Sequence, residues 1–143
     1  VRRFAYAHAT ALYFGAIDHA AGHFDVLRSH DPGQKHLVLM SKSMNFVDVA
    51  GAELLAHEAR RRRADGGGLY FYGMRQDARD ALERGGQIEE IGRDRVFASK
   101  RELVAGVFGR LDRSICARCT MRIFEECRQL PTPAERSPGD AKA

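Results

Sequence analysis

The chain has 143 residues, of which 44% are hydrophobic and 29% charged, the composition of one soluble globular domain with room for a buried core. Its apolar runs are far shorter than the roughly 20 residues that a membrane-spanning helix needs, so the sequence excludes a bilayer span within this chain. Much of the net charge of +4 lies in Arg60–Arg63, and because no aromatic residues are interleaved there, we predict a solvated helix end and no nucleic-acid-binding patch.

The start of the chain carries no targeting pattern. Val1 is the first residue in place of an initiator Met, and no signal-peptide pattern follows it. We therefore expect the chain to be an excised piece of a longer protein.

Strand and helix patterns alternate along the chain. Apolar residues recur at helical spacing in some segments, whereas short apolar runs bounded by turn residues indicate strands. Ser99 and Glu102 have the spacing of a capping box at the start of one helix. Alternation at this spacing predicts an α/β domain with a mixed, mostly parallel sheet of four or five strands packed by helices. The predicted elements are a strand over 4–14 interrupted near residue 8 or 9, a helix over 16–28, a strand over 37–40, a helix over 48–63, a strand over 69–72, a helix over 76–84, a strand over 95–98, and helices over 99–111 and 112–128.

We expect the chain to have three parts. Residues 1–111 form the α/β domain, and residues 112–130 form an additional C-terminal helix that carries all the cysteines. Residues 131–143 contain three prolines and no apolar periodicity, so they are predicted to be a disordered tail.

The loop before the second helix is the main candidate for function. Asp48 lies at the N-cap position, where its carboxylate can accept backbone N–H bonds from the first helical turn. Gly51 allows that turn to pack closely on the structure beneath it. Because the sequence places no nucleophile, histidine base or metal-ligand set around this loop, we predict recognition without catalysis and without a cofactor.

The three cysteines, Cys116, Cys119 and Cys127, are too few and too clustered for an extracellular disulfide framework, which favours a reducing cytoplasm. On one continuous helix they fall on a single stripe, as expected of small buried residues. Packing is the preferred interpretation, and a metal site, a redox pair and a dimer contact are the alternatives. We predict no bound metal, and these three thiols are the candidate ligands if one is present.

A second group of metal-ligand types lies in the first helix. His19 and His23 are four residues apart and share a helical face with Asp18 nearby. The segment lacks the Glu that a zinc hydrolase motif places directly after its first His. We therefore predict an exposed polar face.

Three segments resemble the signatures of one known family. Residues 12–16 (Leu-Tyr-Phe-Gly-Ala) are similar to a strand end, residues 45–51 (Asn-Phe-Val-Asp-Val-Ala-Gly) to a loop, and residues 72–75 with 82–86 to a second strand end and its helix. Together they resemble the STAS domain (sulfate transporter and anti-sigma-factor antagonist) over roughly residues 4–111. Within that family the chain is most similar to the cytoplasmic C-terminal domain of bacterial SulP-type inorganic anion transporters.

The resemblance implies a STAS fold and a non-catalytic regulatory role in protein interaction. The domain would lie on the cytoplasmic side of the inner membrane, as part of a sulfate-type anion transporter whose membrane domain is its partner. A homodimer, a soluble cytoplasmic protein and a nucleotide are the alternative partners. The implied contact surface, called the interaction loop below, consists of Asn45, Phe46, Asp48, Val49, Ala50 and Gly51, with Gly73 and Met74 adjoining it.

One position departs from part of that family. In anti-sigma-factor antagonists a Ser just before the loop Gly is phosphorylated, but here Ala50 precedes Gly51 and Val49 precedes Ala50. Neither side chain has a hydroxyl, so a phosphorylation switch is not predicted. The transporter branch is therefore preferred. The alternatives are a stand-alone signalling module without the phosphoacceptor and a domain that senses a nucleotide or anion.

Overall fold

The computed structural model describes residues 4–8, 17–120, 122 and 124–129. Within these residues the chain forms four strands, six α-helices and short 3-10 segments at Arg93–Arg95 and Glu125–Gln129. The strands are β1 (Phe4–His8), β2 (His36–Met40), β3 (Gly68–Tyr72) and β4 (Val96–Phe97), and the helices are α1 (Ile17–His30), α2 (Val49–Ala64), α3 (Gln76–Arg84), α4 (Gln87–Ile91), α5 (Lys100–Phe108) and α6 (Arg113–Arg118).

The described strands form one wholly parallel sheet in the order β1-β2-β3-β4. In its centre Leu37 of β2 lies opposite Ala5 of β1 and Leu69 of β3. Parallel neighbours need a crossover, and helices supply it between successive strands. The α/β prediction is confirmed, although the described sheet is parallel throughout, with no antiparallel pair. The carboxyl ends of all four strands consequently share one edge, where the loops that follow β2 and β3 meet.

The main core lies between one face of the sheet and α2. Leu37 and Leu39 of β2 point into it together with Leu69 and Phe71 of β3, and none of these side chains is more than 2% exposed. Leu55 and the small Ala59 pack α2 against this face of the sheet. Full burial of each large apolar side chain contributes about 1.5–3 kcal/mol. This packing fixes the axis of α2 against the sheet.

Internal contacts divide the chain within α5 into two compact units, Val1–Leu103 and Val104–Ala143. The first unit contains the sheet and α1 to α4. The second contains the end of α5, α6 and the Glu125–Gln129 segment. The predicted boundary after residue 111 remains a prediction.

The C-terminal helix is much shorter than predicted. It begins as expected, because the Asp112 carboxylate accepts the backbone N–H of Ser114 at 2.9 Å. It ends at Arg118, since the next residue, Cys119, has an extended backbone (ψ 125°) and Arg122 has a positive φ of 37°. A helix cannot continue through those conformations. The prediction of one helical stripe that joins all three cysteines is therefore wrong.

Two further differences concern the middle of the chain and its ends. Gly85 and Gly86 close α3 as predicted, but the chain then forms α4, which the sequence analysis missed. Strand β4 has only two residues in place of the predicted four. The first signature segment (12–16), residues 9–14 of the predicted 4–14 strand and the 131–143 tail lie outside the described residues.

A buried ion cluster connects α1 to α2. Both carboxylate oxygens of Glu58 are used: Oε2 accepts from Arg28 Nη2 at 2.8 Å and Oε1 from Arg62 Nε at 2.6 Å. The side chains of Glu58 and Arg62 are each 3% exposed. Burial lowers the pKa of Arg62 below its ordinary value, and the neighbouring Glu58 carboxylate opposes that shift. Within Arg60–Arg63, the solvated helix end was therefore the wrong interpretation for Arg62.

We expect Glu58→Ala to lower the free energy of unfolding by about 3–5 kcal/mol, because it leaves two arginines without their buried counter-ion. Urea denaturation followed by circular dichroism measures this loss. Glu89→Ala is the matched control, since Glu89 is exposed and pairs with Arg93 on the surface. An equal loss in both variants would contradict the structural role of the cluster.

Candidate functional site

The connection between β2 and α2 is anchored at its start to the end of β3. Ser41 is fully buried, and both its backbone N–H (3.0 Å) and its hydroxyl (3.1 Å) donate to the carbonyl of Tyr72. Met44 N–H donates to the Ser41 carbonyl at 3.0 Å, and the Met44 side chain is buried in the core. These contacts hold the base of the interaction loop in place.

The other end of the interaction loop is fixed by the start of α2. Asp48 has the extended backbone of an N-cap (φ −86°, ψ 177°), and its Oδ1 accepts the N–H of Gly51 at 2.8 Å. The Ala52 N–H donates to the Asp48 carbonyl at 2.9 Å. The predicted N-cap is confirmed. Gly51 and Ala52 are buried, so Asp48 shapes the loop and Gly51 serves its packing.

The turn after β3 lies against the same connection. Gly73 has φ +68°, and its N–H donates to the Phe97 carbonyl at 2.9 Å. A Cβ on Gly73 would come within 2.6 Å of Lys42 Cγ. The Lys42 ammonium in turn lies 5.1 Å from the centre of the Tyr72 ring, a cation–π contact. The structure thus brings Gly73 to the loop, whereas Met74 packs against the core.

The interaction loop presents apolar side chains to solvent. Phe46 is 56% exposed and Val49 is 78% exposed. Asn45 is also exposed, and Ala50 is half-buried. Single exposed apolar residues are ordinary on a protein surface, and here both lie on a capped and anchored loop, the kind of segment that often carries binding residues.

Sequence reasoning missed Ser41 and Lys42 as parts of this site. Ser41 directly follows the buried strand β2, and Lys42 covers the turn that follows β3. In a parallel sheet the residues that follow neighbouring strands meet at one edge. A polar residue placed directly after a buried strand is therefore the signal that could have identified both.

The two metal-like clusters have different surroundings. His19 and His23 are exposed on α1, as predicted. None of the three cysteines forms a disulfide bond, and all three are half-buried. Burial raises the pKa of the Cys116 thiol, and nearby Arg113 opposes the shift, so the reactive thiolate is disfavoured at neutral pH. Across residues 17–120, 122 and 124–129, no group of three or more His, Cys, Asp or Glu side chains could hold a metal ion.

In the part of the chain that the structure describes, no helix has both the length and the apolar character to cross a membrane.

Comparison with known proteins assigns the chain to a family. The family model for the STAS domain matches residues 9–103, which is more than half of the chain. No curated protein sequence matches the chain.

Solved structures similar to this chain share its fold. A sulfate transporter family protein from Wolinella succinogenes is 22% identical with a TM-score of 0.64, over 77% of this chain and 88% of that chain. The STAS domain of a SulP transporter from Vibrio cholerae is 18% identical with a TM-score of 0.61, over 76% of this chain and 84% of that one. The murine anion transporter solute carrier 26 family member A9, in its inward-facing state, is 18% identical with a TM-score of 0.66. That match covers 76% of this chain and 18% of the transporter. The predicted STAS fold is confirmed.

We expect Asp48→Ala to lower the free energy of unfolding by about 0.5–2 kcal/mol, because the first turn of α2 loses its side-chain acceptor. Asp48→Asn keeps a capping oxygen and is expected to retain most of the stability. Urea denaturation of both variants checks this. If the two variants lost the same amount, the cap would not be the stabilising contact.

We expect Gly73→Ala to lower the free energy of unfolding by about 1–2 kcal/mol, because an L-residue is strained at this positive φ and its Cβ displaces Lys42. Gly22→Ala in α1 is the control, since a Cβ there meets nothing within 4 Å. It should raise stability by about 0.5–1 kcal/mol. Thermal unfolding measures both changes. A shift of the melting temperature in the same direction in the two variants would contradict this account.

Proposed function

The chain belongs to the STAS domain family, and from this premise we propose that it is the cytoplasmic regulatory domain of a sulfate-type inorganic anion transporter. It works by protein contact without catalysis. Its partner is the membrane domain of the parent transporter, and the interaction loop is the contact surface. Similar folds in a sulfate transporter family protein and in the STAS domain of a SulP transporter support this assignment.

The observation that carries the proposal is the exposure of Phe46 and Val49 on an anchored turn. Burying each of these side chains against a partner contributes at most about 1.5–3 kcal/mol. Stable complexes between separate proteins bury about 1,200–2,000 Å², which two side chains do not supply. A partner on the same polypeptide meets the loop at an effective concentration in the millimolar range, so a few kcal/mol are enough. This arithmetic favours a partner on the same polypeptide.

The loop chemistry suits a contact that is reversible without covalent modification. Val49 and Ala50 occupy the two positions before Gly51, and neither offers a hydroxyl to a kinase. A phosphate at this helix start would add nearly two negative charges, and that switch is absent from these positions. Regulation therefore operates through the population of the docked state, which changes in transporter conformation would alter.

A photo-crosslinking experiment on the full-length gene product tests the partner. Benzoylphenylalanine is placed at position 46, and crosslinks made in intact membranes are mapped by mass spectrometry. Position 26 is the matched control, because Val26 on α1 is also an apolar residue that is 55% exposed. Crosslinks from position 46 to membrane-spanning segments of the transporter support the proposal. Crosslinks only to a second copy of this domain or to a soluble protein would overturn it.

We expect the double substitution Phe46→Ser and Val49→Ser to weaken docking about fivefold or more, because truncation of an interface anchor costs more than about 1 kcal/mol. The yield of the membrane-domain crosslink, made from a third loop position, Asn45, measures this change. Val26→Ser is expected to leave the yield unchanged. Equal crosslink yields in the unmodified protein, the double variant and Val26→Ser would contradict a role for the loop. Circular dichroism checks that each variant is folded.

A further inference from the structure

The cysteines of the C-terminal unit are a motif that the proposed function does not use. Their interpretation as packing residues requires one continuous helix, but α6 ends at Arg118. Cys116, Cys119 and Cys127 are also only half-buried, so they are not enclosed as core residues are. A thiol that is partly exposed can be reached by a small reactant from solution, which is a condition for redox chemistry.

The backbone brings Cys116 and Cys119 together at the end of α6. The Cys119 N–H donates to the Cys116 carbonyl at 3.2 Å. Such a bond between residues three apart closes a turn whose terminal Cα atoms lie less than about 7 Å apart, and a disulfide needs a Cα separation of about 4.4–6.8 Å. The spacing Cys-Ala-Arg-Cys is also that of redox pairs in reducing compartments. One turn therefore gives these two thiols a span that a disulfide can bridge.

All three thiols are close to one another. Burial is the main cause that raises the pKa of Cys116, and the Cys127 and Cys119 thiols raise it further, while Arg113 opposes the shift. Thiols act on one another in this way only at short range. Cys127 comes from a separate segment, Glu125–Gln129. Cys116 and Cys119 are therefore the pair that a single turn joins, and Cys127 is the competing neighbour.

The raised pKa of Cys116 has opposite effects on the rate and on the equilibrium of oxidation. A thiol attacks as its thiolate, so a raised pKa slows disulfide formation at neutral pH. A low thiol pKa stabilises the reduced form of a redox pair, so a raised pKa favours the disulfide once it has formed. We therefore expect a slow change that persists until a reductant reverses it.

We propose that Cys116 and Cys119 are a reversible redox site, at which hydrogen peroxide converts the two thiols to an intramolecular disulfide. One thiolate attacks a peroxide oxygen and the O–O bond breaks, which leaves a sulfenic acid and a hydroxide. The hydroxide takes up the proton that this thiol released and becomes water. The second thiol attacks the sulfenic sulfur, the S–O bond breaks, and the S–S bond forms as a second water leaves. The two thiols lose two electrons and two protons, and the peroxide gains them. The site shares no residue with the interaction loop.

Peroxide oxidation of the 143-residue chain followed by peptide mapping tests this site. The reduced protein is treated with hydrogen peroxide, the remaining thiols are blocked with N-ethylmaleimide, and the protein is digested with trypsin. Trypsin cleaves after arginine and so places each cysteine in a separate peptide. These peptides are 114–118, 119–122 and 123–128. We expect a disulfide between the first two, N-ethylmaleimide on the third, and an intact mass lower by two hydrogen atoms. Dithiothreitol is expected to reverse the link.

Two matched serine variants complete the experiment. Cys119→Ser should lower the yield of disulfide about tenfold or more, because the turn loses its second thiol. Cys127→Ser removes the competing neighbour and should change the yield by less than about twofold. Circular dichroism checks that both variants are folded. A link that includes peptide 123–128, disulfides only between two copies of the chain, oxidation only to sulfinic or sulfonic acid, or equal yields in the two variants would overturn the proposal.

Discussion

A buried carboxylate that depends on two arginine partners constrains much of this structure. Glu58 lies near the middle of α2 and is almost fully buried, so its charge is tolerable only while Arg28 and Arg62 remain in contact with it. Arg28 comes from α1, and Arg62 also donates to the carbonyl of Gln34 just before β2. The cluster therefore connects α1, α2 and the start of β2 to one another.

Helix α2 connects the interaction loop to the buried ion cluster. Its 16 residues span about 24 Å at 1.5 Å per residue. Asp48 shapes the interaction loop at the first turn of α2, and Arg62 pairs with Glu58 near the last turn.

The features that the sequence predicts correctly depend on residues that are close to one another in the chain. The Asp48 cap and the reciprocal Ser99–Glu102 capping box are local hydrogen-bond patterns, and both are present. Helix α3 has the predicted bounds because Gly85 and Gly86 end it. The following helix α4 is not predicted, because two adjacent glycines signal only the end of α3, whereas burial of Ile88 and Ile91 in the core holds α4 in place.

The parts that it predicted poorly depend on distant residues. A run of four arginines has the pattern of a solvated surface, and only the fold shows that Arg62 points inwards to Glu58. The cysteines had helical spacing, but spacing alone does not specify where a helix ends. The association of Gly73 with Lys42 depends on the parallel pairing of β2 with β3. Local propensity predicts elements, and tertiary burial decides which of their side chains form a site.

The brevity of β4 has a consequence for how copies of this protein associate. β4 is the last strand in the described sheet order and has only two residues. An edge of this length offers too few backbone groups for another chain to extend the sheet. At high concentration, association at this edge by amyloid-like strand addition is therefore disfavoured, and contacts between copies at this edge would have to be made by side chains.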